Sequence, residues 1–200
     1  IFISQKNFFS KNNLNLKKII INKANISLNK YDLKSLNSSS NNKFSNKKIE
    51  INNSNVFLKD NSDETFAIIK VLKGFFLFDN EKLFNLFEID GEVFKVPFVF
   101  NQTNEINSSK NNKINFTANA LELNILNEFN KDEMNIIKGR NIISFFNSKI
   151  DTEYTFDDDL ISFQSLDSGI NISKIDYKGE LSIDPFNLNL NIDLGNYKLS

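Results

Sequence analysis

Phe186–Leu194 (FNLNLNIDL) decides the fold class, because apolar and polar residues alternate there without a break. In an extended strand, successive side chains point to opposite faces, so the alternation gives the strand one apolar and one polar face. A slip of one residue would reverse every side chain, so the pattern also fixes which face meets apolar surroundings. The apolar side consists of Phe186, Leu188, Leu190, Ile192 and Leu194.

The same alternation recurs along the chain, in about a dozen strand-sized segments. Clear examples are Ala24–Leu28, Ile114–Ala118, Leu121–Ile125 and Ile150–Phe156. Short turn-forming stretches such as Asp90-Gly91 separate them, and short links of this kind join antiparallel neighbours. The sequence therefore predicts a mainly β fold, with a curved, twisted and largely antiparallel sheet and little helix.

A short repeat contains both prolines of the chain. Gly91–Phe98 (GEVFKVPF) and Gly179–Phe186 (GELSIDPF) share Gly-Glu-x-x-x-x-Pro-Phe and lie 88 residues apart. Proline has no N–H for a sheet ladder and is confined to edges, bulges and strand starts. The two copies therefore predict one strand–bulge–strand unit built twice, with Pro97 and Pro185 interrupting the ladder pairing.

Other irregular stretches carry expectations of their own. We predict a short helix over Glu81–Glu88 (EKLFNLFE), where Leu83, Phe84 and Phe87 share one side. Two polar stretches, Ser35–Asn46 and Asn101–Lys113, are predicted to be loops. Bulges that would curl the sheet are predicted where strands change face: Ala120-Leu121, Ser173-Lys174 and Asp184-Pro185-Phe186.

The charge balance and residue types argue against several functions. Basic residues number 24 and acidic residues 25, and Arg140 is the only arginine, so nothing indicates a nucleic-acid partner. There is no histidine and no cysteine. The densest carboxylate group, Asp157-Asp158-Asp159, is typical of a solvated hairpin tip, and Glu92 and Glu180 fall on separate copies of the repeat. We therefore expect no enzyme activity, no catalytic residue, no metal site and no cofactor.

The 21 phenylalanines leave two interpretations open. They could fill a closed core, or they could line an uncovered apolar face that suits acyl chains. A sheet with an apolar face needs something against it, and with helices scarce this would be a second sheet, closure of the sheet on itself, or a ligand.

Several stretches together resemble the AsmA family of bacterial envelope proteins, including its TamB-like members. They run from about Lys48 to Leu194, and the motifs are loose. They are INNSNVFLKD at Ile51–Asp60, Phe78-Asp79, the two proline segments, Ile150–Phe156, LISF at Leu160–Phe163, and YKGE at Tyr177–Glu180.

The resemblance implies a protein anchored in the inner membrane and extending into the periplasm. Such proteins form elongated β-grooves with apolar interiors, and they are implicated in phospholipid transport to the outer membrane and in outer-membrane assembly. The implied partners are phospholipid acyl chains, the inner membrane through an anchor outside this segment, and outer-membrane components. No catalytic residue is implied.

On this basis the chain, which starts at Ile1 and ends on a strand-like run, is expected to be a segment of a longer protein. Residues 1–48 would hold one or more strands and a low-complexity loop, and residues 49–200 the groove. The predicted groove lining is Phe94, Val96, Phe98, Phe100, Phe186, Leu188, Leu190, Ile192 and Leu194.

Two rival classes remain. One is a structural or adhesive surface β-protein, solenoid-like or passenger-like, with a filled core and short regular repeats. The other is a carbohydrate-binding or carbohydrate-active β-sandwich, which would usually present tryptophan or tyrosine platforms. This chain has no tryptophan and four tyrosines.

Overall fold

The computed structural model confirms a mainly β, largely antiparallel fold made of repeated strands. It describes residues 2–3, 16–29, 32, 48–60, 62–79, 81, 83–105, 111–132, 134, 136–171, 173–183 and 185–195. Within these ranges the chain forms two compact units, Ile1–Ser108 and Ser109–Ser200. A strand begins at Lys48, next to the predicted boundary between residues 1–48 and 49–200, and that division stays a prediction.

The described residues of unit 1 form one sheet of seven strands. These are β1 (Phe2–Ile3), β2 (Leu16–Asn22), β3 (Asn25–Leu28), β4 (Lys48–Lys59), β5 (Thr65–Asp79), β6 (Phe84–Val93) and β7 (Val96–Glu105). The order is β1-β2-β4-β5-β6-β7. Strands β2 and β3 pair in parallel with successive parts of β4, and the other pairings are antiparallel.

Unit 2 is a sheet of eight strands. They are β8 (Asn112–Ala118), β9 (Leu123–Lys131), β10 (Ile137–Phe145), β11 (Ser148–Asp157), β12 (Leu160–Ser165), β13 (Ser168–Ile170), β14 (Ser173–Ile183) and β15 (Phe186–Asp193). Antiparallel pairing runs β8-β9-β10-β11-β12-β14-β15, and β13 pairs with β11 and β14 beyond the end of β12.

The strand–bulge–strand interpretation of the proline segments is wrong, because both segments are hairpins with two-residue loops. In the first, Val93 pairs with Val96, and Phe94 and Lys95 form the turn with φ of 50° and 65°. In the second, Ile183 pairs with Phe186, so Pro185 lies in the loop itself. Pro97 is instead the second residue of β7, so the two prolines are not equivalent.

The repeated glycine does have a local role in both copies. A Cβ on Gly91 would lie 2.9 Å from Cζ of Phe98, and a Cβ on Gly179 would lie 2.8 Å from Cζ of Phe163. In each case the aromatic ring belongs to the paired residue on the neighbouring strand and covers the glycine. Gly91 therefore lies inside β6, and the turn predicted at Asp90-Gly91 is absent.

Four other local predictions, one helix and three bulges, are also wrong. Phe84–Glu88 is strand and pairs residue by residue with β5, so the predicted helix over Glu81–Glu88 does not form. None of the three predicted bulges forms. Ala120-Leu121 lies in a short 3-10 turn at Asn119–Leu121, Ser173-Lys174 is the start of β14, and the third site is at the β14–β15 loop. The register instead shifts within β5 between Val71 and Lys73.

The predicted loops have mixed outcomes. The described residues of the stretch Asn101–Lys113 are mostly strand, since β7 continues to Glu105 and β8 begins at Asn112. Ser35–Asn46 lies outside the described residues. The hairpin tip predicted at Asp157–Asp159 is confirmed, with β11 ending at Asp157 and an exposed two-residue turn following it.

Candidate functional site: an apolar face on each unit

One face of the unit 1 sheet is mainly apolar, although the register also places Ser54, Asn85, Gln102 and Asn104 on it. Residues paired across a ladder share a face, as do alternate residues along a strand, so the register assigns each side chain to a face. A Cβ built on Gly74 would lie 3.2 Å from Val71 Cγ1. Val71 and Gly74 therefore point to the same face, although the register of β5 shifts between them. This apolar face of unit 1 comprises Ile49, Ile51, Val56, Leu58, Ala67, Ile69, Val71, Phe76, Phe78, Phe87, Ile89, Val93, Val96, Phe98 and Phe100.

Three phenylalanine rings connect neighbouring strands across this face. The rings of Phe76 and Phe87 stack with centroids 4.9 Å apart, and Phe87 meets Phe100 edge-on at 5.5 Å. Aromatic pairs of this kind contribute about 0.5–1.5 kcal/mol beyond their buried area. The face is thus held together within its own layer of strands.

The opposite face of unit 1 carries ion pairs. Lys70 Nζ lies 2.7 Å from a Glu92 oxygen, and Glu50 accepts from Lys18 at 2.6 Å and from Lys48 at 3.1 Å. The hydrogen bond from Lys18 and the charge of both lysines lower the pKa of Glu50, against an opposing effect of burial. Glu92 is therefore one partner of an ion pair on this face of the sheet.

Unit 2 has an apolar face of the same kind, but a row of polar side chains divides it. On one side of the row lie Phe116, Leu123, Ile125, Ile143, Phe145 and Ile150. On the other side lie Phe129, Ile137, Tyr154, Phe156, Ile161, Phe163, Leu181, Leu188 and Leu190. We call these sets the first and second apolar belts.

The row between the belts consists of Asn127, Asn141, Thr152 and Ser165, which pair in succession across β9, β10, β11 and β12. We call it the polar seam. Tyr154 donates its hydroxyl to Asn127 Oδ1 at 3.0 Å, and the Thr152 and Tyr177 hydroxyls are hydrogen-bonded. Burial raises the pKa of Tyr154, so its hydroxyl stays protonated as a donor.

The opposite face of unit 2 holds a buried carboxylate. The Asp151 side chain has no exposed surface and accepts from Arg140 Nε and Nη2, both at 2.7 Å, and from Lys149 Nζ at 3.0 Å. Hydrogen bonding by Arg140 is the largest influence, and it lowers the Asp151 pKa from 3.8 to about 2 against the opposing effect of burial. The Arg140 and Lys149 partners therefore neutralise this buried charge within the sheet.

A depression of about 470 Å³ also lies in unit 2. Most of its lining comes from polar side chains on the face opposite the belts, including Glu153, Gln164, Lys178, Glu180 and Asn189. Gln164 Nε2 donates to a Glu153 oxygen at 3.2 Å. Glu180 thus lies on a solvated polar surface of unit 2. Glu92 belongs to the other unit, far away along the chain.

The predicted groove-lining residues of unit 1 differ from one another in burial and in location. Phe98 is 8% exposed, and Val96 and Phe100 are half-buried on the apolar face. Phe94 does not line the apolar face: it lies in the β6–β7 turn, 76% exposed, because Val93 pairs with Val96 and the chain reverses between them.

The predicted lining residues of unit 2 lie on its outermost described strand. Phe186, Leu188, Leu190 and Ile192 share the apolar face, with exposures between 41% and 77%, and Leu194 follows the end of β15. The intervening asparagines are exposed as well, since β15 pairs only with β14 among the described strands. That this row and the row on β7 form one continuous trough stays a prediction.

No family model, curated protein or solved structure matches the chain. Among the residues that the structure describes, no helix has the length and apolar character needed to cross a membrane. The AsmA resemblance and the location it implies therefore stay predictions.

Proposed function

We propose that the apolar faces of the two units shelter lipid acyl chains, as part of a lipid-carrying β-groove of the AsmA type. With the resemblance, the proposal extends to a periplasmic segment of an inner-membrane-anchored protein that supports phospholipid transport to the outer membrane. The partner is an acyl chain, and the role is passive shielding without chemistry.

The supporting observation is the exposure of the apolar side chains. In the described part of the chain only six hydrophobic residues are buried: Ala67, Val71, Phe78, Phe98, Ala118 and Ile175. Two of these six belong to unit 2, although its two belts contain fifteen apolar side chains by the assignments above. A filled core would bury most of such a set, so half-exposed belts favour a surface that a ligand completes.

The energetic basis of this function is the hydrophobic effect. Each buried methylene contributes about 0.8 kcal/mol, so even a partly covered acyl chain is held by several kcal/mol. Neighbouring positions along a belt offer similar apolar surroundings, because Ile125, Ile143 and Ile150 repeat the same side chain on three successive strands. A chain can therefore shift along the belt with little change in free energy.

Two adjacent isoleucines provide a matched test. Ile143 lies on the first apolar belt and Ile142 on the opposite face, both half-buried. We expect Ile143→Gln to weaken binding of a photoreactive fatty acid several-fold, while Ile142→Gln leaves binding unchanged. Unfolding by urea would verify that the two variants lose similar stability.

The purified protein should also retain lipid that native mass spectrometry detects after extraction. Equal loss of crosslinking in both variants would contradict the assignment of the belts as the binding surface. Absence of any crosslink and of any co-purifying lipid in the parent protein would refute the proposed function.

A further inference from the structure

The polar seam is the least expected feature of the unit 2 apolar face. Four polar side chains from four successive strands meet in one row, on a face whose other rows are mainly apolar. Neighbouring strands are about 4.8 Å apart, so the seam, which crosses four strands, is about 14 Å long. It runs parallel to the belts on either side, so a chain lying on a belt stays beside the seam along that length.

Three of the four seam residues have partners within the sheet. Asn127 Oδ1 accepts from the Tyr154 hydroxyl, Thr152 Oγ1 is bonded to the Tyr177 hydroxyl, and Ser165 Oγ accepts from the Tyr177 backbone N–H at 2.9 Å. Asn141 differs from them. Its Oδ1 is enclosed and has no hydrogen-bond partner among the described residues.

An enclosed acceptor without a donor is costly, because it has lost its hydrogen bonds to water. Asn141 as a whole is half-buried, and its pairing with Asn127 and Thr152 places its side chain on the same face as the belts. Rotation of the amide about χ2 exchanges Oδ1 and Nδ2, so the residue can present an acceptor or a donor there. A hydroxyl group matches both states because it donates and accepts, whereas an ester carbonyl only accepts.

We propose that the polar seam binds a hydroxyl group carried by an acyl chain, with Asn141 as its hydrogen-bond partner. The apolar part of the chain lies on an adjoining belt, so this inference rests on the proposed function and adds selectivity to it. The ligand class is a hydroxylated acyl chain in preference to a plain one.

The test compares two probes, hexadecanoic acid and the same acid carrying one mid-chain hydroxyl, each displacing a fluorescent fatty acid from the whole chain. One added hydrogen bond predicts that the hydroxylated acid binds about 3- to 10-fold more tightly relative to its own partition into detergent micelles. Asn141→Leu should remove this preference and leave binding of the plain acid intact or stronger. Asn141→Thr, which keeps a donor and an acceptor, should retain part of the preference.

Asn115 supplies the matched control. Its Oδ1 is also enclosed with no partner in the described part of the chain, but Asn115 lies on β8 opposite Leu126, on the face away from the belts. Asn115→Leu removes the same kind of acceptor and should leave the preference unchanged.

The outcomes separate the two proposals. Equal affinity for the two acids in the parent protein, or a preference that survives Asn141→Leu, would overturn the seam assignment while the groove stands. Loss of the preference in Asn115→Leu as well would also overturn it. Failure of the parent protein to bind either acid would overturn both.

Discussion

Replacement of Asp151 by asparagine removes the one fully buried charge described in unit 2. The carboxylate receives a two-pronged hydrogen bond from Arg140 and a third bond from Lys149. The planar guanidinium matches a carboxylate with two parallel N–H groups, which explains why the only arginine of the chain is found here. An asparagine keeps the shape but presents an NH₂ group to a donor.

The size of the effect follows from the pKa of Asp151, which is lowered from 3.8 to about 2. At about 1.4 kcal/mol per pKa unit, this difference corresponds to roughly 2.5 kcal/mol of stability. Arg140 and Lys149 are half-exposed, and solvent screening there reduces the expected value to about 2 kcal/mol. Because the folded pKa lies below the unfolded one, this stability is present above pH 3.8 and is lost as the pH falls through about 2.

Urea unfolding followed by circular dichroism measures this contribution at pH 7, pH 4 and pH 2. We expect Asp151→Asn to be less stable than the parent at pH 7, with the difference shrinking towards pH 2. Asp158→Asn is a suitable control, since Asp158 lies in an exposed turn with φ of 50°, a conformation that asparagine tolerates. A difference between parent and Asp151→Asn that is absent at pH 7, or that stays constant down to pH 2, would refute this reasoning.

Three further substitutions test other features of the two units. Ser54→Ala should cost about 1–3 kcal/mol in urea unfolding, because the 1% exposed hydroxyl satisfies a backbone N–H at the β2–β3 junction; a cost below about 0.5 kcal/mol would contradict this. Gly139→Ala should lower the free energy of unfolding by about 1–3 kcal/mol, because the new Cβ would lie 2.6 Å from the Tyr154 ring. Gly74→Ala should cost less, and equal costs for the two variants would contradict the role of the Tyr154 ring in covering Gly139. Leu190→Glu should lose only about 1–2 kcal/mol, since Leu190 is already 41% exposed, while photocrosslinking to lipid from position 190 should fall; global unfolding by this change would favour a sealed core.

Alternation predicted the strands well because a half-buried strand imposes a period of two on its own sequence. Ile114–Ala118, Ile150–Phe156 and the stretch from Phe186 lie in β8, β11 and β15. The helix predicted over Glu81–Glu88 failed because Leu83, Phe84 and Phe87 fit a helical spacing equally well over so short a stretch. Pairing with β5 and β7 on both sides decided the matter.

Turns were harder to predict, since the β6–β7 hairpin lacks the residues that usually mark a turn. Phe94 and Lys95 adopt positive φ without a glycine or asparagine, and in the β10–β11 turn Phe146 adopts positive φ although Asn147 follows it. Conversely, Gly91 looked like a turn residue but lies in a strand beneath Phe98. Both errors come from tertiary contacts that override local preference.

The polar seam could not be predicted from any one strand. Asn127 lies in LNILNEFNK, where asparagines fall on both faces, so its neighbours in sequence do not distinguish it. Only the register of four strands places Asn127, Asn141, Thr152 and Ser165 in one row. Covariation between such positions, not periodicity within a strand, is the kind of signal that would find it.

The stability of each unit must depend on contacts within its sheet more than on a closed core. Six buried hydrophobic residues in the described part of the chain supply little of the burial that stabilises an ordinary domain. Cross-strand pairs contribute about 0.2–1 kcal/mol each, and the stacked rings of unit 1, the covered glycines and the Asp151 cluster add to them. Because the ion pairs lie on the opposite faces, the apolar faces can remain half-exposed without loss of the fold. If acyl chains bind as proposed, covering such a sheet would add to its stability and would couple lipid occupancy to folding.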